Sequence, residues 1–208
     1  MQTPDSVFNL TQIETALATH DPIEVVPRPS TRKAAVAIVM RDTQHGPEML
    51  FIKRAEKDGD PWSGHMAFPG GHMEQADASL RHAAMRETQE EIGLDLSPAS
   101  YLGALSHQHA QPRGRVLDML IAPHAFIVNG DPTFSPNYEV DEVVWTRLDA
   151  MARNENHDTE TKSIAGTPTV FNGYRLERGH FVWGLTYRIL HTFFTTIDPT
   201  WQHPPEVE

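Results

Sequence analysis

Arg86-Glu87-Thr88-Gln89-Glu90-Glu91-Ile92-Gly93-Leu94 is the stretch whose reading decides the fold. At about 100° per residue, Glu87, Glu90 and Glu91 fall within an arc of roughly 100° on a helix. Leu80, Ala84, Met85 and Ile92 spread over the neighbouring arc and can face a core, and Gly93 stops the helix. Like charges one turn apart destabilise a helix by a few tenths of a kcal/mol per pair. An unneutralised Glu87/Glu90/Glu91 seam therefore makes a poor scaffold. A hard divalent cation, which takes oxygen ligands, removes the penalty. The bland alternative is a solvated face in which Arg86 and Glu90 form an ordinary ion pair one turn apart.

The segment before the helix favours the cation. Phe68-Pro69-Gly70-Gly71 follows an apolar run and precedes an acidic turn ending in Asp77. Two glycines after a proline let the backbone turn sharply and approach a ligand without an intervening side chain. Strand, glycine loop and carboxylate helix then form one continuous site.

Gly71 through Leu94 resembles the Nudix box, the loop-helix-loop signature of hydrolases that cleave a nucleoside diphosphate linked to another moiety. Gly71, Arg86-Glu87, Glu90-Glu91, Gly93 and Leu94 match its pattern. Two positions depart from it. Ala78 stands where the first glutamate of the box belongs, with Asp77 one residue earlier in a loop one residue longer, and Thr88 fills a slot that is usually apolar. The longer spacing is similar to that of the coenzyme A pyrophosphatase branch, whose resemblance extends over residues 34–186. It includes Arg54-Ala55, Ser63-Gly64 and Trp183-Gly184-Leu185-Thr186. That branch's upstream signature opens Leu-Leu-Thr-x-Arg, where this chain reads Leu50-Phe51-Ile52-Lys53-Arg54.

The resemblance implies an α/β fold, a Nudix-type α/β/α sandwich with a mixed sheet and a loop-helix-loop catalytic motif. It implies Mg²⁺ or Mn²⁺ held by Glu87, Glu90, Glu91 and the carbonyl of Gly70, with Arg86 orienting a glutamate of the seam. Glu90, or a carboxylate from outside the box, Glu139 or Glu142, would deprotonate the attacking water, and Glu91 and Arg86 would count with them as catalytic. The competing reading of Glu139 and Glu142 is a pair of edge-strand charges opposing aggregation. Arg54, Trp62 and Gly71 are expected at the substrate, although Trp62 in its long turn-rich loop serves equally well as a cover for the core edge. The implied substrate is a nucleotide diphosphate derivative: coenzyme A or an acyl-coenzyme A, or else ADP-ribose, NADH or another nucleotide. A nucleotide-binding module without turnover and a purely structural domain, with Trp62 and Trp201 as exposed aromatics, are the alternatives from other classes.

Composition agrees with one enzyme domain. At 208 residues, 39% of them hydrophobic, the chain can bury a sizeable core. The formal charge of −11 argues against a nucleic-acid or anionic-membrane partner, since both ask for a basic footprint. The absence of cysteine rules out disulfides and thiol catalysis. No basic start with an apolar core opens the chain, and no apolar run approaches a membrane span, so a cytoplasmic protein, monomeric or homodimeric, is expected. His107-Gln108-His109 lacks the further ligands of a zinc site.

Along the chain, Leu10, Ile13 and Leu17 predict an N-terminal helix, followed by a Pro-rich linker. Residues 1–30 are thus expected to pack as an addition on a hydrolase domain of residues 31–208. Residues 34–40 and 48–54 read as strands paired across His45-Gly46-Pro47, and residues 101–106, 117–128 and 139–145 as further strands, with a turn at 111–115. Phe181 to Thr186 leads into an amphipathic helix through Phe193. The polar stretch 154–169 reads as a loop.

Overall fold

The computed structural model describes residues 8–59, 62–110, 117–164 and 166–207. Its centre is β1 (Arg32–Arg41), whose run Ala34 to Met40 lies between two helical layers. Ala35, Ala37 and Val39 point to one face, Ala34, Ile38 and Met40 to the other, as a pleated strand buried on both sides requires. β7 (Met119–Ile127) is buried along its whole length and runs parallel to β1, from Arg32 opposite Met119 to Met40 opposite Ile127. β2 (Glu48–Arg54) carries β3 (Met66–Ala67) on one side; β4 (Gly70–His72) lies antiparallel to the first half of β1. β5 (Ser100–Ala104) and β6 (Gln108–His109) pair with β7, and β8 (Val140–Arg147) pairs with β2.

This eight-stranded mixed sheet separates two cores. On one face α2 (Leu80–Ile92) places Ala83, Ala84 and Ile92 against Ala37, Leu50 and Phe126. On the other, α1 (Leu10–Thr19) and α4 (Gly184–Ile197) bring Ile13, Leu17, Phe193 and Phe194 against Ile38, Met40 and Phe51. The expected α/β/α sandwich is the observed one. Asn9 caps α1, its side chain accepting from the Gln12 N–H at 3.0 Å. Among the described residues, no helix is long and apolar enough to cross a membrane.

Two sequence expectations are corrected and one is narrowed. Residues 154–169 are not a loop: β9 (His157–Ile164) and β10 (Thr167–Arg175) form a hairpin, extended by β11 (Phe181–Trp183) into a second sheet after the short helix α3 (Leu148–Ala152). β9 reads as polar because charge pairs hold its outer face. Arg175 bonds Asp158 at 3.0 Å and Glu160 at 2.6 Å, and Lys162 bonds Glu160 at 2.6 Å. Pairing of β1 with β2 is confined to Met40–Met49 and Arg41–Glu48, since β4 and β7 occupy the edges of β1. Trp201 is buried, not exposed, its indole N–H donating to the Ala152 carbonyl at 2.7 Å. The turn expected at 111–115 lies outside the described residues.

The C-terminal tail beyond α4 straps this second sheet to α4. Asn172 exchanges two 3.0 Å hydrogen bonds with the backbone of Val207, and His203 Nδ1 lies 3.0 Å from His191 Nδ1. Burial, His203 and His157 together push the His191 imidazole down to about 4. A histidine depressed in the folded state contributes stability that is present above its unfolded value near 6.5 and is lost as pH falls towards the folded value. Unfolding free energy is expected to drop between about pH 6.5 and 4. In His191→Phe the slope over that window should be shallower by up to about one proton, as read by urea titrations at stepped pH.

Candidate active site

α2 begins at Ser79, whose side chain accepts from the His82 N–H, and ends at Gly93 in the left-handed conformation, φ 73°. Residues 84, 88, 91 and 92 share its inner face, so the carboxylate seam is split by depth. Glu91 turns inward with its side chain 3% exposed, and Glu90 turns outward at 55%. Thr88, in the slot where the box is usually apolar, is fully buried and donates its hydroxyl to the Ala84 carbonyl at 2.7 Å. That internal bond removes the cost of the hydroxyl.

The two glycines have separate reasons. A Cβ on Gly70, at φ +151°, would stand 2.2 Å from the Ala35 carbonyl oxygen and 2.6 Å from the Val36 Cα. A Cβ on Gly71 would stand 2.5 Å from the Glu87 carboxylate. The loop therefore lies against β1 through Gly70 and receives Glu87 against bare backbone at Gly71. From the same turn the Gly70 N–H donates to Glu91 Oε2 at 2.8 Å, while Arg54 approaches Glu91 Oε1 at 3.9 Å.

Arg86 is the hub of the outer side. Its guanidinium bonds both oxygens of Asp77, at 3.1 and 3.0 Å, and the His72 carbonyl at 2.9 Å. It also holds Glu87 at 3.1 Å and Glu90 at 3.0 Å. Asp77, the acid displaced by one residue from the usual place, thus reaches the arginine from the longer loop. The side-chain bonds to Arg86 hold Asp77 below the usual carboxylate range, and the reciprocal interaction raises Arg86.

The inner carboxylates behave oppositely. Burial pushes Glu91 up to about 7; the Gly70 N–H and Arg54 pull it down, and Glu87 and Glu139 push it further up. Glu87 is raised as well, first by burial, against the pull of Arg86, with Glu90 and Glu139 adding to the rise. Negative charge here is concentrated and short of compensation. Among the described residues no three carboxylates or histidines already converge as a finished metal cage. The donors themselves are all hard oxygens of the kind that Mg²⁺ and Mn²⁺ take, and a divalent ion would supply the positive charge that Glu87, Glu91 and Glu139 lack.

The structure brings Arg54, Gly70, Gly71, Arg86, Glu87, Glu90 and Glu91 together. The two outside carboxylates have different partners. Glu142 is engaged by Arg178 at 2.5 Å and His180 at 3.0 Å in the turn before β11. Glu139, just before β8, is the one whose charge reaches both Glu87 and Glu91. Its place is set by backbone: the Asn137 N–H donates to the Glu91 carbonyl at 2.8 Å, the Ser135 N–H to the Ile92 carbonyl at 2.8 Å, and the Ala55 N–H to the Glu139 carbonyl at 2.8 Å. Trp62 lies in the loop that returns to Arg54: its carbonyl accepts from the His65 N–H, and the His65 carbonyl accepts from the Arg54 N–H.

A family model described as the NUDIX domain matches residues 31–165. The chain belongs to the Nudix family. This Nudix hydrolase is 29% identical over 190 residues to an uncharacterized Nudix hydrolase, NudL, of Pectobacterium atrosepticum, covering 90% of this chain and 94% of that one. It is 31% identical over 159 residues to the mitochondrial coenzyme A diphosphatase NUDT8 of Homo sapiens, covering 74% and 64% of the two chains. The Mus musculus protein of the same name is 27% identical over 176 residues, 82% of this chain and 80% of that one. Among solved structures, a MutT/nudix family protein from Enterococcus faecalis superimposes with a TM-score of 0.55 at 17% identity, over 91% of this chain and 70% of that one, and shares the fold. Nudix hydrolases generally need divalent metal ions.

Proposed function

We propose that this Nudix hydrolase is a Mg²⁺- or Mn²⁺-dependent pyrophosphohydrolase that cleaves coenzyme A or an acyl-coenzyme A into 3′,5′-ADP and 4′-phosphopantetheine or its acyl derivative. The observation that carries the reaction type is the buried Glu91, 3% exposed and held by the Gly70 N–H at 2.8 Å at the glycine turn that also receives Glu87. Similarity to two coenzyme A diphosphatases over most of the chain supports the substrate.

Glu87, Glu90, Glu91 and the Gly70 carbonyl would hold the ion. When bound, it supplies charge neutralisation for the diphosphate and acidifies a water. Every other part belongs to the chain. Arg86, fixed by Asp77 and the His72 carbonyl, holds Glu87 and Glu90 in place and keeps their repulsion tolerable. Arg54 and the Gly70 N–H orient Glu91. Glu139 takes the proton from the attacking water. The water oxygen bonds to one phosphorus, and the bridging oxygen leaves with the other phosphate. Arg54, Gly71 and the Trp62 loop face the substrate.

The test is incubation of the purified protein with Mg²⁺ or Mn²⁺ and coenzyme A, acetyl-coenzyme A, ADP-ribose, NADH and diadenosine polyphosphates, with products resolved by chromatography. Appearance of 3′,5′-ADP with the pantetheine phosphate supports the proposal. Cleavage of ADP-ribose or NADH alone refutes the coenzyme A substrate, and silence across the panel with both ions refutes the hydrolase role.

A further inference from the structure

Beside the seam, where β1 and β4 meet the loop into α2, opens a cleft of about 550 Å³. Its lining includes Thr31, Arg32, Lys33, His72 and Glu74. Arg32 and Lys33 are both exposed, and among the described residues neither charged head has an ion pair or hydrogen bond. Three other cations on or beside the sheet are matched by carboxylates. Arg28 is matched by Asp118 at 3.2 Å, Arg41 by Glu48 at 2.7 Å and Lys53 by Asp141 at 2.5 Å. Asp118, next to the start of β1, is already held by Arg28, Ser30 and Thr31. Glu74 is then the one carboxylate in a lining that holds two free cations and a histidine.

The cleft adjoins the reaction centre through backbone. The Met73 N–H donates to the Lys33 carbonyl at 2.9 Å, and Ala34 pairs with His72. The His72 carbonyl receives the Arg86 guanidinium, which grips Glu87 and Glu90. One residue, His72, thus separates the glycine turn that receives Glu87 from the cationic wall.

We infer that this cleft binds a second anionic group of the substrate, a phosphate monoester carried outside the diphosphate. This rests on the reading of the seam as the diphosphate site. An arginine offers a planar fork that fits two phosphate oxygens, and Lys33, which alternates to the other face of β1, adds its charge at longer range. In a chain of formal charge −11, two cations left unmatched by protein carboxylates form a local positive spot that attracts an anion towards an otherwise repelling surface. The volume falls within the range that holds a small ligand. Substrates with a diphosphate alone leave the spot unused; those with an additional phosphate monoester fill both.

The experiment compares matched pairs, coenzyme A with dephospho-coenzyme A and NADPH with NADH, in the wild type and in Arg32→Gln/Lys33→Gln. It adds calorimetric affinities for 3′,5′-ADP and 5′-AMP without metal. The wild type is expected to favour the phosphorylated member about tenfold or more, through KM rather than kcat, and to bind 3′,5′-ADP tighter than 5′-AMP by a similar factor. In the double variant both ratios fall to about one, while kinetics on the unphosphorylated members stay unchanged. Equal handling of both members by the wild type, or a ratio that survives the double substitution, overturns the inference and leaves the diphosphate reading standing. If no pair is cleaved but the wild type alone prefers 3′,5′-ADP, the subsite stands and the hydrolase reading falls. The two single variants, each at an exposed position, repeat the comparison should the double variant fail to fold.

Discussion

Glu91→Gln is expected to lower kcat by about 10²–10³-fold, the scale seen when a single preorganised electrostatic group is taken from a reaction centre, while the protein stays folded. The amide keeps the shape of the group and its acceptor for the Gly70 N–H, but loses the charge that an ion would meet. Stability should move the other way in the absence of metal. Glu91 is raised to about 7, so its contribution is fully present below the unfolded value near 4.5 and is lost as pH rises through 7. The amide has no such loss, and at pH 8 the metal-free variant should melt no lower than the wild type. Added Mn²⁺ should raise the wild-type Tm and raise that of the variant much less. Steady-state kinetics and melts with and without Mn²⁺ measure both, and turnover within twofold of wild type would sink the assigned role.

Gly70→Ala is the second large effect, and it is an effect on the fold. The added methyl meets backbone atoms of β1 at 2.2 and 2.6 Å, and backbone cannot swing aside as a side chain can. Overpacking of this kind costs about 1–3 kcal/mol and sometimes more. The positive φ adds strain of about 1–2 kcal/mol for an L-residue. A loss of about 3 kcal/mol or more, or no soluble folded protein, is expected in urea titrations. Gly71→Ala provides the contrast. Its clash is with the carboxylate end of Glu87, which can rotate away, so the fold should survive and turnover should fall. A Gly70→Ala protein as stable as wild type would show that the loop does not lie on β1 as described.

Much of this arrangement is legible in the sequence where a local rule is strong. The double-sided burial of β1 follows from its unbroken apolar run, and the end of α2 follows from Gly93. The carboxylate seam follows from helical spacing, but its division by depth follows only when Glu91 is placed in the row of Ala84, Thr88 and Ile92. The arc of the three glutamates by itself carries no such division. The hairpin of β9 and β10 escapes for a different reason. Its polar strand is held by Arg175 and Lys162 across the sheet, and such pairing is invisible in a window that sees β9 by itself. The different surroundings of Glu139 and Glu142 likewise depend on which groups meet in space, Ala55 and Asn137 beside one and Arg178 and His180 beside the other.

The hydrogen bonds from Ser135 and Asn137 to the last carbonyls of α2 have a consequence for how this protein can change. They dock residues 135–137 on the helix end, so Glu139 is metered from the seam by two peptide units rather than by the length of the surface loop that delivers it. Insertions and deletions around Gly130, where the chain is exposed, leave that ruler untouched. A single residue added between Asn137 and Glu139 would break it. The outer loop can therefore change length without moving Glu139 relative to the end of α2.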